Sequence, residues 1–176
     1  MNLPIQRPKY DPNNEGWGSH QPVLTYLLNK IPNCRFLELG AGDNSTSLIT
    51  ELSSYSEHYE TNFEWYQKMK KYETDIHKII FWNQYTMYEW LNCPAFEQEW
   101  DVAFIDNAPG ESRQSNLLKL RDKCRFIVCH DTEEVYKPSA SNYGWNFSTF
   151  KYNFVFDKYN TYTNVLSNFE EFKMDI

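Results

Sequence analysis

The sequence predicts an α/β protein with a doubly wound, mostly parallel sheet of seven strands that ends in an antiparallel hairpin. Short apolar runs alternate with segments of helical spacing from residue 19 to about residue 132, and this alternation is typical of parallel sheets connected by helices. Near the C-terminal end, two runs of alternating character flank "DKYN" (157–160), which favours a hairpin. A chain of 176 residues that is 41% hydrophobic suits one such domain.

The helices follow from the spacing of apolar residues. Residues 1–18, rich in proline and asparagine, are expected to form an N-terminal arm, and 19–176 a single domain. Apolar residues at helical spacing predict a first helix in "SHQPVLTYLLNKI" (19–31). Further helices are predicted in "NSTSLITELSS" (44–54), "FEWYQKMKKYE" (63–73) and "SRQSNLLKLRDK" (112–123).

Five predicted strands separate these helices. They are "CRFLEL" (34–39), "SEHYETN" (56–62), "HKIIFW" (77–82), "DVAFIDNAPG" (101–110), which ends in a turn, and "CRFIVCHDT" (124–132). Aromatic and β-branched residues favour strands, and the fifth run is almost wholly apolar, as strands covered on both faces are. The hairpin is predicted in "KYNFVFDKYNTYTNVLSN" (151–168), at one edge of the sheet.

Charge and composition exclude several classes of function. A net charge of −7 argues against a nucleic-acid backbone as the main partner. The cysteines lack the spacing of a zinc site or a disulfide framework: Cys34, Cys93, Cys124 and Cys129. The sequence has no apolar stretch of about 20 residues, and we expect no signal peptide. We therefore expect a cytoplasmic protein without a membrane span.

The turn in "FLELGAGDNSTS" (36–47) is the main candidate for a ligand site. Ligands of doubly wound sheets bind at the carboxyl ends of the strands, and Gly40 and Gly42 let a backbone approach such a ligand. Ser45 stands where a dinucleotide-binding fingerprint has a third glycine, which weakens a pyrophosphate interpretation. Glu38 precedes the turn, and Glu60 ends the second strand about 20 residues after Gly40, where an acid can bind ribose hydroxyls. The pattern favours an adenosine ligand carrying an ammonium group, and an ordinary tight turn is the alternative.

These motifs resemble those of class I S-adenosylmethionine-dependent methyltransferases. The first two motifs are "FLELGAGDNST" (36–46) and "HYETNFEWYQKM" (58–69), and "DVAFIDNAPGESR" (101–113) and "CRFIVCHDTE" (124–133) resemble the fourth and fifth strands. The resemblance extends from about Ser19 to Ser167. It is strongest to the small methyltransferases of surface-glycan and polysaccharide biosynthesis, which share the Pro-Gly turn and the His-Asp-Thr-Glu ending. It implies a Rossmann-like fold, S-adenosylmethionine as cofactor and O-methylation of a hydroxyl on a sugar or glycan.

The resemblance also implies which residues bind the cofactor. They lie in the lead-in to the first helix, the glycine turn and two strand ends: Ser19, His20, Glu38, Gly40, Gly42, Ser45, Thr46, Glu60 and Asn83. Ser19 and His20 would close over the cofactor or face the substrate. Glu38 would hold the amino group of the cofactor or the loop amides, and Glu60 the ribose hydroxyls. Asn83 would contact adenine, with Gln84 as a rival.

Four residues are candidates for catalysis: Asp106, His130, Asp131 and Arg113. Methyl transfer from a sulfonium is an in-line displacement, so it depends on an oriented nucleophile and a base that removes the hydroxyl proton. His130, with an ordinary pKa of about 6.5, is the natural base, and Asp106 or Asp131 would orient its ring. Arg113 would brace Asp106, bind an acidic substrate group or form a charge on a helix surface.

A divalent metal is the alternative way to activate the hydroxyl. Mg²⁺ or Mn²⁺ held by Asp106 and Asp131, with Asn107 or His130, would lower the hydroxyl pKa directly. Metal-dependent catechol-type methyltransferases carry similarly placed acids, but their fifth strand ends in Asp-Asn, whereas this sequence has His-Asp-Thr. We therefore rank the metal below a metal-free mechanism. Asp106 has a purely structural alternative as the cap of the following turn.

The expected partner is a sugar, a glycan or another small hydroxyl-bearing acceptor, with no nucleic acid, and a homodimer is left open. Three other functions remain at this point. A small phenolic or nitrogen acceptor could replace the sugar. A nicotinamide oxidoreductase would share the glycine turn, but Ser45 and the hairpin argue against it. A non-catalytic module would bind the cofactor without turnover.

Overall fold

The computed structural model describes residues 18–84, 86–138 and 142–174, so the arm predicted for residues 1–18 lies outside the described residues except for Gly18. The strands are β1 (Arg35–Leu39), β2 (Tyr55–Glu60), β3 (His77–Phe81), β4 (Trp100–Ile105), β5 (Cys124–His130), β6 (Tyr152–Phe156) and β7 (Thr163–Ser167). They form one sheet of order β3-β2-β1-β4-β5-β7-β6. Strands β1 to β5 are parallel, and β7 pairs antiparallel with β5 and β6. The predicted fold class is confirmed.

The helices are α1 (Gln21–Lys30), α2 (Thr46–Leu52), α3 (Phe63–Met69), α4 (Met87–Trp90) and α5 (Arg113–Leu120), with short 3₁₀ segments between them. Four were predicted, although α3 ends at Met69 and continues as a 3₁₀ turn. Helix α4 was not predicted. It has only 4 residues, too few for a periodic pattern, and its start is fixed by a capping box in which Thr86 and Glu89 bond reciprocally.

The core covers both faces of the sheet. On one face, α1 and α2 pack on Phe36, Val102 and Phe104. On the other, α4 and α5 pack on alternate residues of the same strands, such as Leu37 and Ala103. Because both faces are buried, β1, β4 and β5 are nearly continuous apolar runs rather than alternating ones.

The parallel register brings four strand ends to one edge. Leu39 is level with Tyr59 and Ile105, and Ile105 is level with Cys129. The polar residues that directly follow these strands must therefore meet at that edge.

Two further expectations can be compared with the fold. All four cysteines are buried, and none forms a disulfide. Among the described residues, no helix combines the length and apolarity needed to cross a membrane.

Candidate active site

A cavity of about 780 Å³ opens at the carboxyl ends of the parallel strands. Nine of the predicted site residues line it: His20, Gly40, Gly42, Ser45, Glu60, Asp106, Arg113, His130 and Asp131. Its volume is in the range of small-molecule sites. Four other predicted residues, Ser19, Glu38, Thr46 and Asn83, are not part of the lining.

The two glycines of the turn serve different purposes. Gly40 has φ +92°, and a Cβ there would lie 2.5 Å from the carbonyl oxygen of Asp106, so the close packing of the turn against the end of β4 requires glycine. At Gly42, an added Cβ would meet only Ser45 Oγ, at 3.9 Å. Gly42 therefore leaves room for a ligand, whereas Gly40 is needed by the fold itself.

Glu38 supports the turn from inside the protein. It is fully buried, and its Oε2 accepts hydrogen bonds from Thr46 Oγ1 at 2.7 Å and from His58 Nδ1. Thr46 Oγ1 in turn accepts from the Gly42 amide at 3.0 Å. The resemblance implied that Glu38 holds either the amino group of the cofactor or the loop amides, and these contacts agree with the second role. Thr46 lies between the carboxylate and the loop, so the carboxylate is outside the cavity.

Glu60, the last residue of β2, presents a carboxyl group to the cavity. It is 8% exposed, and its Oε1 accepts from the Asn62 amide at 2.7 Å. Burial raises the pKa of Glu60 to about 7, backbone amides oppose this, and the charge of Glu38 adds to it. Near neutral pH, this carboxyl group therefore changes between its neutral and its ionised form.

This raised pKa should make stability depend on pH. Folded Glu60 binds its proton more tightly than the unfolded chain does, so the contribution of Glu60 to the free energy of unfolding should fall as pH rises from 4.5 to about 7 and stay level above. The loss approaches about 3 kcal/mol at 1.36 kcal/mol per pKa unit. In urea unfolding, Glu60→Gln should be more stable than the wild type at pH 8 but about equal to it at pH 4. An equal difference at both pH values would contradict this origin.

Arg113, at the start of α5, joins the ends of β4 and β5. It is buried, and its guanidinium lies 2.9 Å from Asp106 Oδ1 and 3.0 Å from Asp131 Oδ2. It also donates to the carbonyl of Asn107 at 2.9 Å and stacks on the ring of Tyr143 at 4.2 Å. Among the alternatives from the sequence, these contacts match the brace for Asp106 and exclude a surface charge.

His130 lies between the two carboxylates. Its Nδ1 is 3.3 Å from Asp106 Oδ1 and 3.3 Å from Asp131 Oδ1, and its Nε2 is 2.9 Å from Ser19 Oγ. Burial lowers the pKa of His130, but the two carboxylates outweigh burial and raise it above 6.5. Ser19 does not line the cavity, and its hydroxyl group fixes the orientation of the His130 ring from inside the protein.

His20 faces the same cluster from the lead-in to α1. It is 2% exposed, and its ring packs at 4.6 Å on Phe104 and edge-on at 4.8 Å to His130. Burial and the nearby His130 lower the pKa of His20 to about 3, so its ring is neutral at physiological pH. Neither ring nitrogen of His20 makes a hydrogen bond of normal geometry.

The remaining residues show the limits of sequence motifs. Asn83 is exposed after β3, so the adenine contact stays a prediction. Lining residues outside the predicted set of cofactor-binding and catalytic residues are Ala41, Asp43, Asn44, Asn62, Trp65, Ala108, Tyr143 and Thr161. Most adjoin predicted positions and could have been found by extending each motif. Tyr143 and Thr161 come from the segments before and within the hairpin.

Comparison with known proteins supports the fold rather than a particular reaction. No protein-family model and no curated protein matches the sequence. Solved structures do match: a candidate O-methyltransferase from Klebsiella pneumoniae has a TM-score of 0.61 at 15% identity, covering 92% of this chain and 83% of that one. An rRNA methylase from Streptococcus thermophilus has a TM-score of 0.57 at 10% identity, covering 93% and 99%.

A third structure contains a ligand. An RNA methyltransferase from Salinibacter ruber, in complex with S-adenosyl-L-homocysteine, has a TM-score of 0.52 at 13% identity, covering 88% of this chain and 95% of that one. These neighbours do not support the expected likeness to glycan-biosynthesis enzymes. The chain has the Rossmann-like fold of class I S-adenosylmethionine-dependent methyltransferases.

Proposed function

We propose that this protein is an S-adenosylmethionine-dependent methyltransferase that methylates a hydroxyl group of a small, sugar-like acceptor. The observation that carries the proposal is the composition of one cavity. It joins the glycine turn and Glu60 to a cluster of carboxylates, imidazoles and a guanidinium. The glycine turn and Glu60 suit an adenosine ligand, and the charged cluster suits the activation of a hydroxyl group.

The turn side of the cavity fits the cofactor. Gly42 leaves open space beside the loop, and Glu60 can accept hydrogen bonds from the two ribose hydroxyls. The carboxylates that line the cavity also suit the positive charge of the cofactor. When bound, S-adenosylmethionine supplies an electrophilic methyl group. The work left to the protein is to orient the acceptor and to favour loss of its proton.

The histidine and carboxylate cluster would perform that work. Asp106 and Asp131 are fixed by Arg113, and Ser19 fixes the ring of His130. His130 or one of the carboxylates can accept the hydroxyl proton as the methyl group is transferred, and the carboxylates can accept hydrogen bonds from the other hydroxyls of a sugar.

The charge of the cavity argues for a small acceptor rather than RNA, although RNA methylases share the fold. Four carboxylates line the cavity, from Asp43, Glu60, Asp106 and Asp131, against the single guanidinium of Arg113 among the described lining residues. The whole chain carries −7. Phosphate groups would be repelled by both.

Calorimetric titration with S-adenosylhomocysteine tests the cofactor. We expect binding that strengthens from pH 6 to pH 8, because the ionised form of Glu60 accepts the ribose hydroxyls. Glu60→Gln should weaken it at least about 10-fold, since a hydrogen bond to a charged group contributes about 1.5–3 kcal/mol. Glu64→Gln, an exposed neighbour in α3, is the control. Absence of binding, or preference for NAD, would refute the proposal.

A methyl-transfer assay tests the acceptor. Uncharged sugars, a catechol, an amine and an RNA oligonucleotide should be compared, and transfer to sugar hydroxyls is the expected outcome. Asp106→Asn should abolish transfer while retaining S-adenosylhomocysteine binding. Asp122→Asn, at an exposed ion pair with Arg121, should change neither. Transfer to RNA in preference to all small acceptors would overturn the choice of acceptor but not the methyltransferase assignment.

A further inference from the structure

We propose that His20, Asp106 and His130 together bind a divalent transition-metal ion at the wall of the cavity. One ligand atom from each of these residues lies within 4.8 Å of the other two. Ligand atoms bound tetrahedrally to one ion at about 2.1 Å are about 3.4 Å apart. The three side chains therefore need to move by less than about 1 Å to share an ion.

The surroundings of His20 independently indicate a missing ligand. Its ring is 2% exposed and lines the cavity. The backbone of Asn44 acts on it weakly and opposes the lowering of its pKa, yet neither nitrogen makes a hydrogen bond of normal geometry. Buried polar groups are nearly always paired. A neutral imidazole in such a position is the form that binds a metal.

The surroundings of His130 resemble the support that metal ligands receive. Ser19 Oγ lies 2.9 Å from Nε2, which leaves Nδ1 directed at Asp106, 3.3 Å away. A hydrogen bond to the second ring nitrogen fixes the tautomer and the orientation of a ligating histidine. Ser19 is thus placed as a positioning residue for the site.

The charges around the cluster are compatible with a cation. With both imidazoles neutral, Asp106 and Asp131 contribute two negative charges and Arg113 one positive charge, so a net negative charge faces the ion. Asp131 remains paired with Arg113. This arrangement differs from the pair of Asp106 and Asp131 that the sequence suggested, because the guanidinium lies between those two carboxylates.

The donor set selects the class of ion. Two imidazoles and one carboxylate suit Zn²⁺, Co²⁺, Mn²⁺ or Fe²⁺ better than Mg²⁺ or Ca²⁺, which prefer oxygen ligands. Three protein ligands beside an open cavity leave a position for a further ligand, as in catalytic sites. A hydroxyl bound there would have a lowered pKa.

Metal binding can be measured without cofactor or acceptor, so its failure would leave the proposed methyl transfer standing. Tag-free protein, treated with chelator, should be titrated with Zn²⁺, Co²⁺ and Mg²⁺ by calorimetry, and the visible absorption of the Co²⁺ form recorded. We expect one Zn²⁺ or Co²⁺ per chain, and no saturable Mg²⁺ binding in the same concentration range.

The variant His20→Phe separates ligation from folding. Phenylalanine preserves a ring against Phe104 and removes both buried nitrogens, so the metal-free variant should melt no lower than the wild type while binding Zn²⁺ at least about 100-fold more weakly. Ser19→Ala should weaken binding about 10-fold. His77→Gln, at a histidine outside the cluster, should bind normally. Unchanged Zn²⁺ binding in His20→Phe, or no transition-metal binding by the wild type, would overturn the proposal.

Discussion

Gly40→Ala is expected to destabilise the protein by about 3–5 kcal/mol. The new Cβ would lie 2.5 Å from the carbonyl oxygen of Asp106 and 2.8 Å from Cα of Asn107, and neither backbone atom can move without displacing the end of β4. The positive φ of 92° adds strain for any residue with a side chain. Overpacking of this kind commonly costs about 1–3 kcal/mol before that strain is added. Urea unfolding measures the change.

Gly144→Ala is the matched control for Gly40→Ala. Gly144 also has a positive φ, of 71°, but an added Cβ would meet nothing within 4 Å. Its substitution should cost only about 1–2 kcal/mol, the strain of the left-handed backbone alone. Equal losses for the two variants would show that the close approach of the turn to β4 does not matter.

Arg113→Met should cost about 3–5 kcal/mol, since removing one partner of a buried ion pair leaves uncompensated charge. Here the guanidinium pairs with both Asp106 and Asp131, which would then repel each other across the gap. The carbonyl of Asn107 also loses its hydrogen bond from Nε of Arg113. Methionine retains much of the chain length, so the loss measures charge more than packing. The loss is read from the midpoint of urea unfolding.

Two comparisons test this origin of the loss. Arg121→Met removes an exposed ion pair with Asp122 and should leave stability nearly unchanged, because solvent screens such pairs. Adding Asp131→Asn to Arg113→Met should recover part of the stability, because one unpaired carboxylate disappears. Strictly additive losses in the double variant would exclude coupling between these two residues.

The fold could be predicted almost completely, because its pattern is local. The parallel strands are covered on both faces and therefore have continuous apolar sequences. The helices between them have apolar residues at helical spacing. The hairpin could be predicted from its alternation. Helix α4 could not, because its 4 residues depend on a cap rather than on periodicity.

The sequence determined which residues form the candidate site, and the tertiary structure determined how they contact one another. Motifs at strand ends indicated Gly40, Glu60, Asp106 and His130, since parallel strands bring their carboxyl ends to one edge. The contacts among them depend on side-chain directions and distances across elements far apart in the chain. The position of Arg113 between two carboxylates, the ring of His20 against His130, and the burial that raises the pKa of Glu60 to about 7 were therefore decided only by packing in three dimensions.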